Sequence, residues 1–427
     1  MTTAARRILI TTFGSLGDIH PYVALALALQ QRGHCPCIAS FDLHRAAVEA
    51  AGVAFHPVRP GLEVFGSIET VARRLFGSLR GPEYMIRDIF MQHLHESYAD
   101  TAAAARGADL MLTHPLTFAA RLVAEKQGIP WVSTALAPLN LFSALEPPLF
   151  PAGGWLLALR WLGVGPYRLA FGGLKHLIRH WEAPLRRYRS ALGLPPQHGM
   201  AQFEGQFSPR LNLALFSPLL SAPLADWPAR TVVCGFARYD GIAAAADAAS
   251  LRAFLAAGEA PIVFALGSAA VMIAGDFWRH AVAAAHRLGR RAILLTGRLA
   301  GPQPAWPPAV RAFEYLPYSA VFPHAAAVVH QAGIGTLAQA LAAGRPQLIV
   351  PVAFDQPDNA RRACQLGVAR VLPFRQVTAQ RLAAQLQPLL DEVAYARRAA
   401  AVAVDVAAED GAGRAADEIG RMLAALR

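Results

Sequence analysis

HQAGIGTLAQALAAGRPQLIVPVAFDQPDNA, residues 330–360, contains two strand–turn–helix units in succession, and the chemistry of their turns differs. The preceding AAAVVH (325–330) is a short apolar run that predicts a buried parallel strand, and TLAQALAAG predicts a helix closed by Gly344. Between them lies a glycine turn at the carboxyl edge of a sheet. There Gly333 and Gly335 permit close backbone approach, and the helix amides at Gly335 and Thr336 face an anion. His330, at the strand end, is expected to donate to the same diphosphate. In the next unit QLIVPV (347–352) is a strand, and Pro357 opens a helix that runs to Gly367. Asp355 and Gln356 fall in its loop, where a carboxylate beside an amide suits vicinal sugar hydroxyls. A glycine turn alone fits any α/β enzyme; joined to a polar corner it points to a nucleotide-sugar site.

This segment resembles the donor-binding region of family 1 glycosyltransferases, whose bacterial members carry His-x-Gly-Gly-x-Gly-Thr followed by an Asp-Gln pair. The chain departs from that pattern at Ala332, which stands at the first glycine. The added methyl would matter if the backbone there needs a positive φ, and tolerance is expected because Gly333 and Gly335 remain. A second match lies at the amino terminus. RRILITTFGSLGDIHPYVALALALQQRGH (6–34) predicts a strand over Ile8 to Thr12, a glycine turn, a helix beginning near Pro21 and a stop at Gly33. It resembles the opening of the same family, in which the residue three before the proline is the general base. That position is Asp18, and the resemblance makes it the base for an acceptor hydroxyl; the residues alone also allow a helix N-cap. With an ordinary aspartate pKa it would help chiefly through orientation. His20 is the second candidate for the base, or else a residue of the acceptor-side wall or of the helix's first turn. Gly14, Ser15 and Gly17 form the turn expected to border the donor.

At 427 residues the chain has room for two domains. RRILITTFGS (6–15) and APIVFALGS (260–268) are both apolar strands ending in Gly-Ser, and each opens half of the chain. Two Rossmann-like α/β domains with parallel sheets facing across a cleft, the GT-B architecture, explain the echo and are what the resemblance implies. The expected division is an acceptor-binding domain over 1–225, a nucleotide-sugar-binding domain over 226–404, and a helix over 405–427 that returns to the first domain. Gly267 and Ser268 either border the donor phosphates or form an ordinary βα turn. Tyr315 lies where relatives stack an apolar or aromatic residue on the base, though it reads equally as a core tyrosine. Ala338 stands where many UDP-sugar enzymes have a glutamate for the ribose diol, which tilts toward a deoxyribose donor.

Other classes fit less well. Asp42 follows the second strand, where a ribose-binding acid would sit, but Gly14 and Gly17 form only Gly-x-x-Gly, so no dinucleotide fingerprint is present. No Asp-x-Asp pair follows a strand to hold a metal ion, and neither metal nor other cofactor is expected beyond the nucleotide sugar as co-substrate. Cys35 and Cys37 read as buried packing in a reduced cytosol. The net charge of +11 suggests an anionic surface nearby, and without a recognition motif nucleic acid is not expected. Between Pro147 and Leu194, Trp, Leu and Phe alternate with Arg and Lys. Arg160, Pro166 and Arg168 break the apolar run, so the stretch cannot span a bilayer; it either lies on anionic lipid or packs as acceptor-domain helices. No signal peptide is read ahead of Arg6, and the expected location is cytoplasmic, with peripheral contact at the inner membrane face.

Segments 227–241, 262–297 and the DQPDNA ending look most like the rhamnosyltransferase branch of rhamnolipid synthesis and its bacterial relatives. The resemblance thus implies an inverting, metal-independent transferase moving a rhamnose- or glucose-type sugar to a hydroxyl of a hydrophobic, lipid-like acceptor. A UDP-glucose-dependent sterol, polyketide or other natural-product glucosyltransferase is the alternative. A third reading is an inactive nucleotide-sugar-binding auxiliary protein, against which Asp18, His330, Asp355 and Gln356 argue together.

Overall fold

A computed structural model describes residues 5–61, 64, 66–77, 80–150, 161–241, 244–298 and 304–425. Residues 151–160 of the basic, aromatic stretch therefore lie outside the described residues, as do 242 and 243. The chain divides into two compact units, Met1–Tyr239 with Asp410–Arg427, and Asp240–Glu409.

In the first unit seven short apolar runs form a sheet: β1 (Arg7–Thr11), β2 (Cys35–Ser40), β3 (Ala54–Pro57), β4 (Leu110–Thr113), β5 (Trp131–Ala135), β6 (Asn212–Ala214) and β7 (Thr231–Val233). Their order is β3-β2-β1-β4-β5-β6-β7, and every pairing is parallel. Ile8, Leu9 and Ile10 are all buried, as a strand covered on both faces requires. The second unit holds β8 (Ile262–Ala265), β9 (Ala292–Leu295), β10 (Val310–Phe313), β11 (Ala327–His330), β12 (Gln347–Ile349) and β13 (Ala369–Val371), in the parallel order β10-β9-β8-β11-β12-β13. Ile262 and Phe264 pack into one apolar cluster, while Val263 and Ala265 join another, so successive residues of β8 anchor helices on opposite faces.

The strand order reverses between β1 and β4 in one sheet and between β8 and β11 in the other. At such a switch point the loops leaving the two strands diverge, and the carboxyl edge opens into a crevice that takes ligands. Both motifs read from the sequence begin at these edges.

The first unit continues past the break expected near Asp226, because β7 pairs with β6 and belongs to its sheet. The carboxyl-terminal helix Gly411–Ala425 belongs to the first unit, and the preceding helix Val393–Ala407 to the second. Gly411–Ala425 packs on helix Leu16–Gln31 through buried Ala415, Ala416 and Ile419, with Arg32 Nε donating to Asp417 at 2.7 Å. Cys35, expected to be buried, is exposed at the entry of β2, while Cys37 is half-buried.

Candidate active site

The turn after β1 is built around Asp18. Ser15 is the N-cap of helix Leu16–Gln31, and Asp18, three residues on, reaches back to it. Asp18 Oδ2 accepts from Ser15 N–H at 2.8 Å and from its hydroxyl at 3.2 Å, so Asp18 is not itself the cap. Gly14 has φ +135°, and a Cβ there would stand 2.3 Å from Asp18 Oδ2, so only glycine fits. At Gly17 a methyl would make only ordinary contact, 3.5 Å from Ser15 Oγ. His44 Nε2 lies 2.9 Å from Gly14 O and holds the turn from β2's side. Asp18 keeps 34% of its side-chain surface, yet it is surrounded by protein on its other sides. Burial, opposed by the Ser15 hydrogen bonds, raises its pKa to about 6, in place of the ordinary value expected from sequence. A carboxylate so shifted is a better proton acceptor near neutrality.

His20 is half-buried and meets Tyr239 edge to face at 5.3 Å. Burial, with His44 nearby, lowers its pKa to about 4, which makes it a weaker base than Asp18. A residue that sequence reasoning missed is His114, which follows β4 as Asp18's turn follows β1. Its N–H donates to Thr11 O at 3.1 Å, and its Nε2 lies 3.7 Å from Asp18 Oδ1. The signal was present in LMLTH (110–114), an apolar run ending on histidine like AAAVVH.

In the second unit Gly333 is the N-cap of helix Ile334–Ala342, so Gly335 and Thr336 occupy its first turn, where backbone N–H groups have no acceptor within the helix. Gly333 has φ −57°; the left-handed residue is Ala332, at φ +65° and wholly buried. The departure from the glycine pattern thus falls on the residue that needs a positive φ, a strain of about 1–2 kcal/mol. His330 holds that turn rather than pointing at a ligand. It is fully buried, its Nδ1 accepts from Ala332 N–H at 3.1 Å, and its Nε2 lies 3.0 Å from Gln347 Oε1. With both ring nitrogens engaged, the expected bond from His330 to a diphosphate has no N–H left to make it. Gln331, also missed, is 6% exposed, and its amide nitrogen would be 2.1 Å from a Cβ at Gly267 and 2.9 Å from one at Gly333. The two glycine turns therefore close around one side chain. Ser268, beside Gly267, is exposed.

Asp355 and Gln356 begin the helix Gln356–Gln365. Gln356 Oε1 accepts from Val352 N–H at 2.8 Å and Ala353 N–H at 3.2 Å, so its carbonyl organises its own loop and leaves the amide NH₂ as the end suited to a sugar. Asn359, wholly buried, donates to Ala332 O at 2.9 Å and Asp355 Oδ2 at 2.7 Å. One amide ties the glycine turn to the polar corner. Among the described residues four non-glycines have positive φ, and two of them, Ala332 and Phe354, lie in these loops. Tyr315 is 41% exposed, which removes the core reading, and its hydroxyl accepts from Gly241 N–H at 3.2 Å. Ala338 is buried in helix Ile334–Ala342. Asp42 is paired with Arg45 at 2.8 Å. Arg189, within the basic and aromatic stretch, is buried against Glu125 and Pro195 O, as the packing alternative requires at that position. Arg186 and Arg187 are exposed.

Two doubly covered parallel sheets, each with polar loops at its switch point, form a frame that takes ligands in the crevices at those carboxyl edges. Residues 8–141 match the sequence model of the glycosyltransferase family 28 N-terminal domain, and residues 293–426 match that of the erythromycin biosynthesis protein CIII-like, C-terminal domain. The chain is 32% identical over 420 residues to O-mycaminosyltylonolide 6-deoxyallosyltransferase of Streptomyces fradiae, covering 95% of this chain and 94% of the relative. It is 31% identical to glycosyltransferase GtfE of Amycolatopsis orientalis, with 96% of each covered. Among solved structures it superposes on the glycosyltransferase of kitacinnamycin (TM-score 0.73, 23% identity, 99% of this chain and 100% of that one). It also matches glycosyltransferase VinC in complex with dTDP (TM-score 0.65, 25% identity, 98% of this chain and 100% of that one). The chain belongs to the family 1 glycosyltransferases: it is a GT-B enzyme that transfers a sugar from a nucleotide sugar.

Two outcomes follow from the donor loops. Ala332→Gly should raise the unfolding free energy by about 0.5–1 kcal/mol, since relief of the left-handed strain exceeds the entropy glycine adds to the unfolded chain; urea denaturation measures it. Asp355→Ala should weaken nucleotide-sugar binding and spare free nucleoside diphosphate in calorimetry, and equal losses for both ligands would remove Asp355 from sugar recognition.

Proposed function

We propose that this enzyme transfers a 6-deoxyhexose of rhamnose type from a deoxythymidine diphosphate sugar to a hydroxyl of a hydrophobic acceptor, inverting the anomeric carbon without a metal ion. The observation that carries this reading is Asp18: a carboxyl with one oxygen anchored by Ser15, a pKa raised to about 6, and a third of its surface open. As the acceptor oxygen bonds to the anomeric carbon, its proton passes to Asp18, and the bond from that carbon to the diphosphate breaks on the opposite face. Within the second unit, the N–H groups of Gly335 and Thr336 in the first turn of their helix suit the negative charge of a diphosphate. Support for the donor comes from buried Ala338, from the 6-deoxyallosyl named for the Streptomyces fradiae relative, and from the dTDP bound to VinC.

A second observation concerns the acceptor's setting. Leu169 and Leu177 on helix Gly165–Ile178 are 79% and 70% exposed, and Trp161 just before it is 81% exposed. Arg168, Arg179, Arg186 and Arg187 are exposed in the same segment. Apolar side chains interleaved with cations suit the interface of an anionic bilayer, where a hydrophobic acceptor would collect. Among the described residues no helix is long and apolar enough to cross a membrane.

Asp18→Asn preserves the shape and removes the basicity, so turnover should fall by at least about 100-fold while dTDP affinity and melting temperature hold. Asp18 is basic only above its pKa and is protonated as pH falls through about 6, so wild-type kcat/KM should decline on that side. A fully active Asn variant would overturn the assignment. UDP-glucose turned over in preference to dTDP-sugars would move the reading to a glucosyltransferase. Binding to anionic vesicles should fall with added salt and with Arg186→Gln and Arg187→Gln combined, and absence of binding at low salt would assign the segment to packing alone.

A further inference from the structure

His114 and Asp18 leave adjacent, hydrogen-bonded strands at the switch point of the first sheet. Thr11 pairs with Thr113, and the next residue on β4's side is His114. The proton on the His114 ring can be placed from its partners. Leu116 N–H donates to Nδ1 at 3.2 Å, so Nδ1 is an acceptor and the neutral ring carries its hydrogen on Nε2. That Nε2–H faces Asp18 Oδ1 at 3.7 Å, longer than a hydrogen bond; contacts between catalytic groups are often long without substrate and tighten in the complex. Asp18 Oδ2 already accepts twice from Ser15, so Oδ1 is the oxygen left for an acceptor proton.

We propose that His114 is a positioning residue for Asp18, its Nε2–H aligning Oδ1 toward the acceptor hydroxyl without bringing a positive charge to the base. This rests on the reading of Asp18 as the base. The titratable groups facing the His114 ring are Asp18 and Tyr22, both on helix Leu16–Gln31; Tyr22 meets it edge to face at 6.1 Å, and its hydroxyl is bonded to Thr134. Burial lowers the His114 pKa to about 3, which keeps the imidazole neutral across the working range. A cation in its place would pull the Asp18 carboxyl down and make it a poorer proton acceptor.

The test uses the full chain with His114→Phe, which keeps a ring and removes the N–H, and His114→Gln, which restores an amide donor. The Phe variant should lose about tenfold in kcat and shift the acid limb of kcat/KM upward, because the carboxylate loses a donor, while the Kd for dTDP stays put. Gln should recover most of both effects. In an Asp18→Asn background, His114→Phe should cause no further loss. An unmoved acid limb in folded His114→Phe, or an equal loss with and without Asp18, overturns the proposal. If Asp18→Asn alone stays active, the base assignment has failed, a result separate from either of those. Nitrogen NMR of wild-type His114 adds a check that needs no variant: a neutral Nε2–H tautomer from pH 6 to 8 is expected, and an imidazolium or Nδ1–H tautomer contradicts the inference.

Discussion

One edge of one carboxylate organises the crevice at the switch point of the first sheet. Ser15 holds Asp18 Oδ2 with its N–H and its hydroxyl, and these bonds also close the start of helix Leu16–Gln31. Helix capping and the orientation of the Asp18 carboxylate are therefore the same interaction. Gly14 is required because any Cβ would meet the carboxylate, and His44 fixes the Gly14 carbonyl from the neighbouring strand's loop. What remains is a single outward oxygen on a carboxyl whose burial outweighs its hydrogen bonds, the combination that turns an ordinary aspartate into a group poised near neutrality.

The loops at the switch point of the second sheet depend on a comparable constraint in the backbone. Ala332 is held in the left-handed region from both sides, its N–H by His330 and its carbonyl by Asn359. His330 is fixed in turn by Gln347 on the adjacent strand. Asn359 cannot reverse its amide, since that would set its oxygen against Ala332 O and Asp355 Oδ2, two acceptors. The glycine turn after β11 and the Asp355 carboxylate are thereby linked through one buried side chain. Strain at Ala332 and at Phe354 persists because neighbouring groups over-determine the loops, a pattern expected where geometry serves a ligand.

Much of this was legible in the sequence. Uninterrupted apolar runs such as RILIT and IVFA mark strands covered on both faces, and the glycine turns after them place the sites at the carboxyl edges. The two-unit architecture followed from the repeated pattern. Less legible was anything set by residues distant in the chain. His330 looked open to a diphosphate because Gln347, which engages its ring, lies on the next strand. Arg189 lies in a stretch that reads from sequence as either lipid-facing or packed, and the partner that fixes it, Glu125, is far upstream. His114 was passed over because LMLTH resembles any strand end until the strand order sets β4 beside β1. The shift at Asp18 likewise comes from burial by tertiary neighbours, which no local motif encodes.

The most direct measurement is the carboxyl titration of Asp18 by carbon NMR, with Asp18→Asn used for assignment, set beside the pH dependence of kcat/KM on the same protein. The account predicts one midpoint near pH 6 shared by the Asp18 resonance and the acid limb of activity. A carboxyl that titrates near its ordinary value of 3.8, with an acid limb that does not follow it, would contradict the claim that Asp18 is the proton acceptor.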